Sequence, residues 1–187
     1  PDKWGEFFKR YISEVVKLVI DSIPLVLIIS VFIGAVCTIQ MKLNIMSPLI
    51  PMYTVGLATR EIILLEFSSS ILCLILAGKV GSSITSEIGT MRVTEQIDAL
   101  EIMGINSANF LVLPKITAFV SFIPVLVTMS MATSILGGYL ISVITGIVSP
   151  EIFIYGIQTM FVEWYVWYAL INSLFFSFVI SSVASYF

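Results

Sequence analysis

Apolar residues run through this chain in four long stretches, 22–41, 62–84, 110–146 and 166–187, and the polar residues are gathered between them. About 20 apolar residues in a helix, at ~1.5 Å each, cross a hydrocarbon core of ~30 Å. The pattern therefore predicts an all-α, polytopic membrane protein with four transmembrane spans. The first 20 residues differ: Trp4, Phe7, Phe8, Tyr11, Ile12, Val15, Leu18 and Val19 recur at helical spacing, while Lys3, Glu6, Lys9, Arg10, Ser13, Glu14 and Lys17 take the other faces. That periodicity predicts an amphipathic helix over 1–20 lying in the membrane interface, basic residues toward headgroups and aromatic rings toward acyl chains. A helix packed on a soluble partner is the alternative.

The boundaries carry their own signals. Asp21, Ser22 and Pro24 read as the start of the span at 22–41, with a capping residue and a first-turn proline. Residues 41–61, with Pro48, Pro51, Gly56, Lys42 and Arg60, read as a partly re-entrant outer loop. The run 110–146 holds Lys115 as its single charge, and Pro114, Pro124 and Gly137-Gly138 are its candidate bend points, so it is expected to be one long kinked span. Ser149-Pro150-Glu151 starts a short helix over 150–161. An aromatic cluster from Trp164 to Tyr168 then sits at the interface before the uncharged span 166–187.

The longest polar stretch, 77–104, gathers Glu87, Glu95, Asp98 and Glu101 with Lys79 and Arg92 between two spans. Val93, Ile97, Leu100 and Gly104 follow one stripe, so an amphipathic helix of about twelve residues is expected from Thr94, with an acidic exposed face and Gly104 as its C-cap. Placing this loop and the N-terminus in the cytoplasm puts Lys3, Lys9, Arg10, Lys17, Lys79, Arg92 and Lys115 inside and only Lys42 and Arg60 outside, which satisfies the positive-inside rule. The loop is thus a candidate docking surface for a cytoplasmic protein.

Composition agrees and narrows the chemistry. The chain is 58% hydrophobic and 11% charged, with a mean hydropathy of +1.07, far more apolar than a soluble domain. A net charge of -3 leaves no basic surface for nucleic acid, and the absence of His removes the commonest general base and metal ligand. Cys37 and Cys73 both lie in apolar runs and read as buried small hydrophobes. Gly78-Lys79 is followed by Val80, and Cys73 stands where a phosphate-binding loop needs glycine, so the chain holds no nucleotide-hydrolysing motif of its own. The start on Pro1 and the stop at Phe187 within an apolar run suggest a chain trimmed at both ends.

The segment EIGTMRVTEQIDALEIMGI, Glu87 to Ile105, closely resembles the signature of the MlaE-type permease family, the membrane subunits of ABC transporters that move phospholipids between bacterial membranes. The resemblance extends upstream through AGKVGSSITS to Glu66 and on to FIGAV, Phe32 to Val36, with Gln40; downstream it takes in Pro114 and the Ala184-Ser185-Tyr186 end of the fourth span. It implies an inner-membrane protein with a cytoplasmic N-terminus, working as a homodimer with a periplasmic protein of mammalian-cell-entry (MCE) domains and a separate ATPase subunit. ATP and Mg would be held by that ATPase, with no cofactor or metal in this chain and no catalytic residue. Members of the family have a fifth span, missing here. Residues 87–104 would be the coupling helix, with Glu87, Arg92, Glu95, Asp98 and Glu101 meeting or orienting the ATPase.

The lipid cavity would be lined by Phe32, Val36, Gln40, Ile45, Glu66 and Phe67. Glu66 falls on the acid of the family's Arg-Glu-Leu-Gly-Pro segment, but Leu65 replaces its arginine and Ser68 and Ser69 its Gly-Pro. Arg60 is one alternative source of that charge; pairing with Glu61 or with headgroups is another. Asn172 stands where a lysine is common in the family, and a buried Asn there would bind helix to helix. An ATP-independent secondary carrier or channel for a lipid or small molecule is the second functional class, and an intramembrane enzyme the third.

Overall fold

A computed structural model describes residues 2–45 and 47–186, and within them every regular element is helical. Helix α1 (Asp2–Leu18) passes through a 3-10 turn (Ile20–Ser22) into α2 (Ile23–Asn44). Helix α3 (Tyr53–Val93) follows, then the short α4 (Gln96–Ile102), the long α5 (Ala108–Thr145), α6 (Pro150–Gln158) and α7 (Glu163–Tyr186). Four helical stretches are long and apolar enough to cross a membrane: Trp4–Asn44, Tyr53–Val93, Ala108–Thr145 and Glu163–Tyr186. The molecule is an all-α polytopic membrane protein.

Several boundaries move. The outer loop expected at 41–61 is largely helical, because Tyr53–Arg60 finds a partner in α6. Val55 and Phe153 are fully buried there in a small apolar cluster with Val148, and Ile45 packs on its edge. Ser22 does not cap α2; its hydroxyl donates back to the Leu18 carbonyl at 2.7 Å. Ser149 likewise makes no side-chain cap, and α6 starts on Pro150 with the Ser149 carbonyl accepting from Phe153 N–H at 3.0 Å. The candidate bend points Pro114, Pro124 and Gly137-Gly138 all lie within one continuous helix, Leu113–Thr145. The Phe187 end of the expected fourth span lies outside the described residues.

Two compact units are distinguished: residues 1–23, 73–124 and 173–187 form the first, and residues 24–72 and 125–172 the second. In the second unit the packing logic inverts that of a soluble protein. Along α2 the buried residues are Val26, Ser30, Gly34, Cys37 and Thr38, while Ile28, Phe32 and Val36 are exposed. Lipid is as apolar as leucine, so bulky side chains gain nothing by turning inward, and small residues let backbones approach. Ser30 and Ser130 share a hydrogen bond of 2.7 Å where α2 meets α5. A Cβ built on Gly137 would stand 2.2 Å from the Val31 carbonyl oxygen, so only glycine fits. Gly56 and Gly156 do the same where α3 meets α6.

In the first unit, α7 presents buried Ser173, Ser177 and Ser181 on one face. The Ser177 and Ser181 hydroxyls donate to carbonyls one turn back on their own helix, which satisfies them without a partner helix. Helix α3 widens to π-type turns over Ile63–Ile71 and Ala77–Gly81, and α5 does so over Ala108–Val112. Such wide turns concentrate at functional sites.

Candidate functional site: the charged elbow

The polar stretch is an elbow of two helices rather than one. Helix α3 runs on to Val93, where the Thr94 hydroxyl donates to the Thr90 carbonyl at 2.8 Å and the Glu95 N–H to the Arg92 carbonyl at 3.1 Å. Glu95 then takes a left-handed conformation (φ 57), which costs a side-chain-bearing residue about 1–2 kcal/mol and reverses the chain. The twelve-residue helix expected from Thr94 is therefore interrupted at its start, leaving α4 with seven residues. Its end is a Schellman turn: Gly104 has φ 74, its N–H meets the Glu101 carbonyl at 2.9 Å, and the Ile105 N–H meets the Leu100 carbonyl at 3.0 Å.

No residue of α4 is buried. Arg92, Glu95, Asp98 and Glu101 are all exposed, and the first three make no ion pair among the described residues. Glu101 accepts from the Ser107 hydroxyl at 3.1 Å. Between these charges stand Val93 (85% exposed), Ile102 (87%) and Met103 (65%). Apolar side chains ringed by unpaired charge make a surface suited to a protein partner.

Glu87 is placed differently from its expected companions. Its carboxylate accepts from Lys17 Nζ and Lys115 Nζ, both at 2.8 Å, and Lys115 also reaches Glu14 Oε1 at 2.9 Å. Lys115 is 1% exposed. Removing one partner from a buried pair of this kind costs on the order of 3–5 kcal/mol, because a charge is left behind without compensation. The four groups carry two charges of each sign and join α1, α3 and α5. In the sequence Lys115 stands as the lone charge of an apolar run and as one of seven cations on the expected cytoplasmic side; an isolated charge in a span is the sign that it has a buried partner. Nearby, Lys79 Nζ donates to the Asp21 carbonyl in the turn between α1 and α2. Arg10 lies over the Phe110 ring with Cζ 3.7 Å from its centroid, on one wall of a groove of about 500 Å³ that Phe7, Asn106 and Asn109 also line.

The residues expected at a lipid cavity all belong to the second unit. Phe32 (66% exposed), Val36 (62%) and the exposed Gln40 follow at four-residue intervals along the outer face of α2. Glu66 is exposed on the wide turn of α3, with no hydrogen bond or ion pair among the described residues, and Phe67 beside it is half-buried. Ile45 is drawn away into the cluster around Phe153.

Arg60 has a structural post instead. It is 1% exposed and donates from Nη1 to the carbonyls of Ile157 (2.6 Å) and Thr159 (2.8 Å), and from Nη2 to that of Met160 (3.1 Å). Its fork thus closes the C-terminal end of α6, where backbone carbonyls lack helical partners and attract a cation. Glu61 Oε1 lies 3.5 Å from Nη2. Asn172 Nδ2 donates to Ser69 Oγ at 3.4 Å, a polar link between α7 and α3. Cys37 and Cys73 are free and buried, as their apolar settings implied.

Comparison with known proteins bears on both groups of residues. The family model described as Permease MlaE matches residues 11–187. A probable ABC transporter permease protein of Synechocystis is 32% identical over 167 residues, covering 87% of this chain and 62% of that protein. One of Rickettsia bellii is 34% identical over 142 residues, 73% of this chain and 52% of that protein. A third, from Porphyra purpurea, is 47% identical over 70 residues, 37% of this chain and 27% of that protein. The chain thus spans about half to three-fifths of the length of the first two relatives. With the family model matched from residue 11 to the last residue, the chain belongs to the MlaE permease family.

Proposed function

We propose that this chain is the membrane-spanning part of an ABC transporter permease that moves phospholipids, driven by a separate ATPase subunit docked on the elbow of α3 and α4. The observation that carries the reading is the elbow itself, where Arg92, Glu95 and Asp98 stand exposed without ion-pair partners beside Val93, Ile102 and Met103. A monomer gains nothing from leaving such a surface uncovered, and a motor subunit is the partner that a permease without its own nucleotide site requires. The printed names of the relatives, probable ABC transporter permease proteins, support the same class.

Orientation follows from charge. Seven of the nine Lys and Arg residues fall on the elbow's side of the spans, an asymmetry that supports a cytoplasmic elbow and N-terminus; a bacterial inner membrane is the setting that goes with this reading. The substrate is carried along the outer face of α2 and the wide turn of α3, where Phe32 and Val36 offer an acyl chain an apolar track and Gln40 and Glu66 supply the polar groups. A second permease copy would close that face into a cavity, and a periplasmic MCE-domain protein would receive or supply the lipid.

The test is co-purification in mild detergent. Glu95→Lys with Asp98→Lys should release the ATPase subunit while the permease stays folded and monodisperse. Survival of the complex would remove the elbow as the docking site, and recovery of wild-type permease that moves lipid without any ATPase would sink the whole reading.

A further inference from the structure

We propose that the ion network of Glu14, Lys17, Glu87 and Lys115 is the strut through which movement of the elbow reaches α1 and α5, so that Glu87, Lys115 and Glu14 are positioning residues for transport rather than contacts for the motor. The proposal rests on the docking of an ATPase at the elbow.

Three observations within the first unit carry it. Helix α4 buries no residue fully and has only Ile97 and Leu100 half-buried, so its own packing is a weak route for passing on a load. Among the described residues the last side-chain ion pair that α3 makes before the elbow is at Glu87, about two turns ahead of the left-handed Glu95. Helix α3, α4 and the foot of α5 then form a closed circuit, covalent through the elbow and ionic through Glu87 and Lys115 at 2.8 Å. A closed circuit of this kind turns as one body when any side is pushed.

Helix α1 is fastened to that body twice, by Lys17 to Glu87 at 2.8 Å and by Glu14 to Lys115 at 2.9 Å. A further tie runs from Lys79, two turns up α3, to the Asp21 carbonyl where α1 joins α2. Exposed Trp4, Phe8, Ile12 and Val16 lie along α1 at four-residue intervals, a stripe suited to the acyl boundary. A push on the elbow would thereby shift a helix bedded in the membrane surface. The buried setting of Lys115 matters because buried charge pairs are screened far less than exposed ones, so its two ties carry more of the load than the half-exposed Lys17–Glu87 pair.

The experiment uses the permease purified with and without its ATPase subunit, with Cys37 and Cys73 replaced by Ala and spin labels at Phe8→Cys on α1 and Gly89→Cys one turn before the end of α3, where a built Cβ meets nothing within 4 Å. In the permease alone the label separation should be narrowly distributed, and it should broaden in Lys115→Met with Glu87→Gln, a pair of changes that removes both charges and keeps side-chain volume. Equal distributions in the two proteins would overturn the strut whether or not an ATPase docks. In the full complex, trapping ATP should leave the wild-type separation unchanged; a separation that shifts on trapping contradicts movement as one body.

Function is read in liposomes carrying fluorescent phosphatidylethanolamine. The neutral pair should keep the ATPase subunit bound and hydrolysing, while lipid moved per ATP falls about tenfold, within the range of typical coupling effects. Lipid moved per ATP equal to wild type overturns the proposal. Glu14→Gln, which leaves Lys115 paired with Glu87, is the milder variant and should lower the same ratio by a smaller factor; no change there removes Glu14 from the strut. Loss of the ATPase from the neutral pair would assign Glu87 and Lys115 to docking instead.

Discussion

A Cβ placed on Gly34 would stand 1.7 Å from the carbonyl oxygen of Ser134, so α2 and α5 meet backbone to backbone at this point. The obstacle is main chain and has no rotamer to give. Gly34→Ala should therefore destabilise the protein by about 1–3 kcal/mol or more, the usual range for overpacking. Gly89, with no heavy atom within 4 Å of its built Cβ, is the control, and Gly89→Ala should stabilise by about 0.5–1 kcal/mol through helix propensity. Thermal unfolding of both variants in the same detergent reads the contrast, and equal midpoints would refute the close crossing.

Arg60 supplies a second outcome. With its fork on three carbonyls at the end of α6, Arg60→Met should cost about 1–3 kcal/mol, the range for leaving a buried polar group unsatisfied, and Arg60→Lys should recover only part of it because an ammonium lacks the planar pair of donors. Hydrogen exchange over residues 150–160 locates the loss. If Arg60→Met leaves those amides as protected as in the wild type, the capping role is wrong.

Glu95 separates strain from recognition. Glycine accepts the left-handed backbone freely, so Glu95→Gly should raise the stability of the isolated permease by about 1 kcal/mol, whereas Glu95→Val should lower it. In the same Glu95→Gly protein, affinity for the ATPase subunit should fall, since the charge is gone while the turn is kept. Tighter binding of the ATPase to Glu95→Gly would show that the carboxylate takes no part in docking.

The two thiols report on packing. Cys37 is 5% exposed and Cys73 1%, so neither should react with a maleimide in the folded protein, and both should react once it is denatured. Mass spectrometry of the labelled chain counts the adducts; rapid labelling of Cys73 under native conditions would contradict its place on the buried side of α3.

How much of this was legible in the chain depends on the distance over which each feature is decided. The acids of the elbow were visible as a cluster between spans, and Gly104 was readable as a helix end, because both depend on near neighbours in sequence. The break at Thr94 and Glu95 was not, since Val93 to Leu100 keeps helical periodicity straight through it. Glu87 looked like Glu95 and Asp98, yet the partners that take it inward, Lys17 and Lys115, lie 70 and 28 residues away. For Arg60 the sequence offered the adjacent Glu61, the headgroups or the substrate charge, and its actual partners are about 100 residues downstream.

The sequence by itself determined that the described residues are helical in every regular element and include four stretches long and apolar enough to cross a membrane, because hydrocarbon tolerates only backbone that satisfies its own hydrogen bonds and the length of an apolar run is a local property. It also determined the resemblance that leads to the family. Which face of each helix turns inward was decided only in three dimensions. In lipid the inner face is chosen by the close fit of glycine and serine, as at Gly34 and Ser134, and by the pairing of rare charges, as at Lys115. Neither choice is written into hydrophobic periodicity, because the outside of a membrane helix is as apolar as its inside.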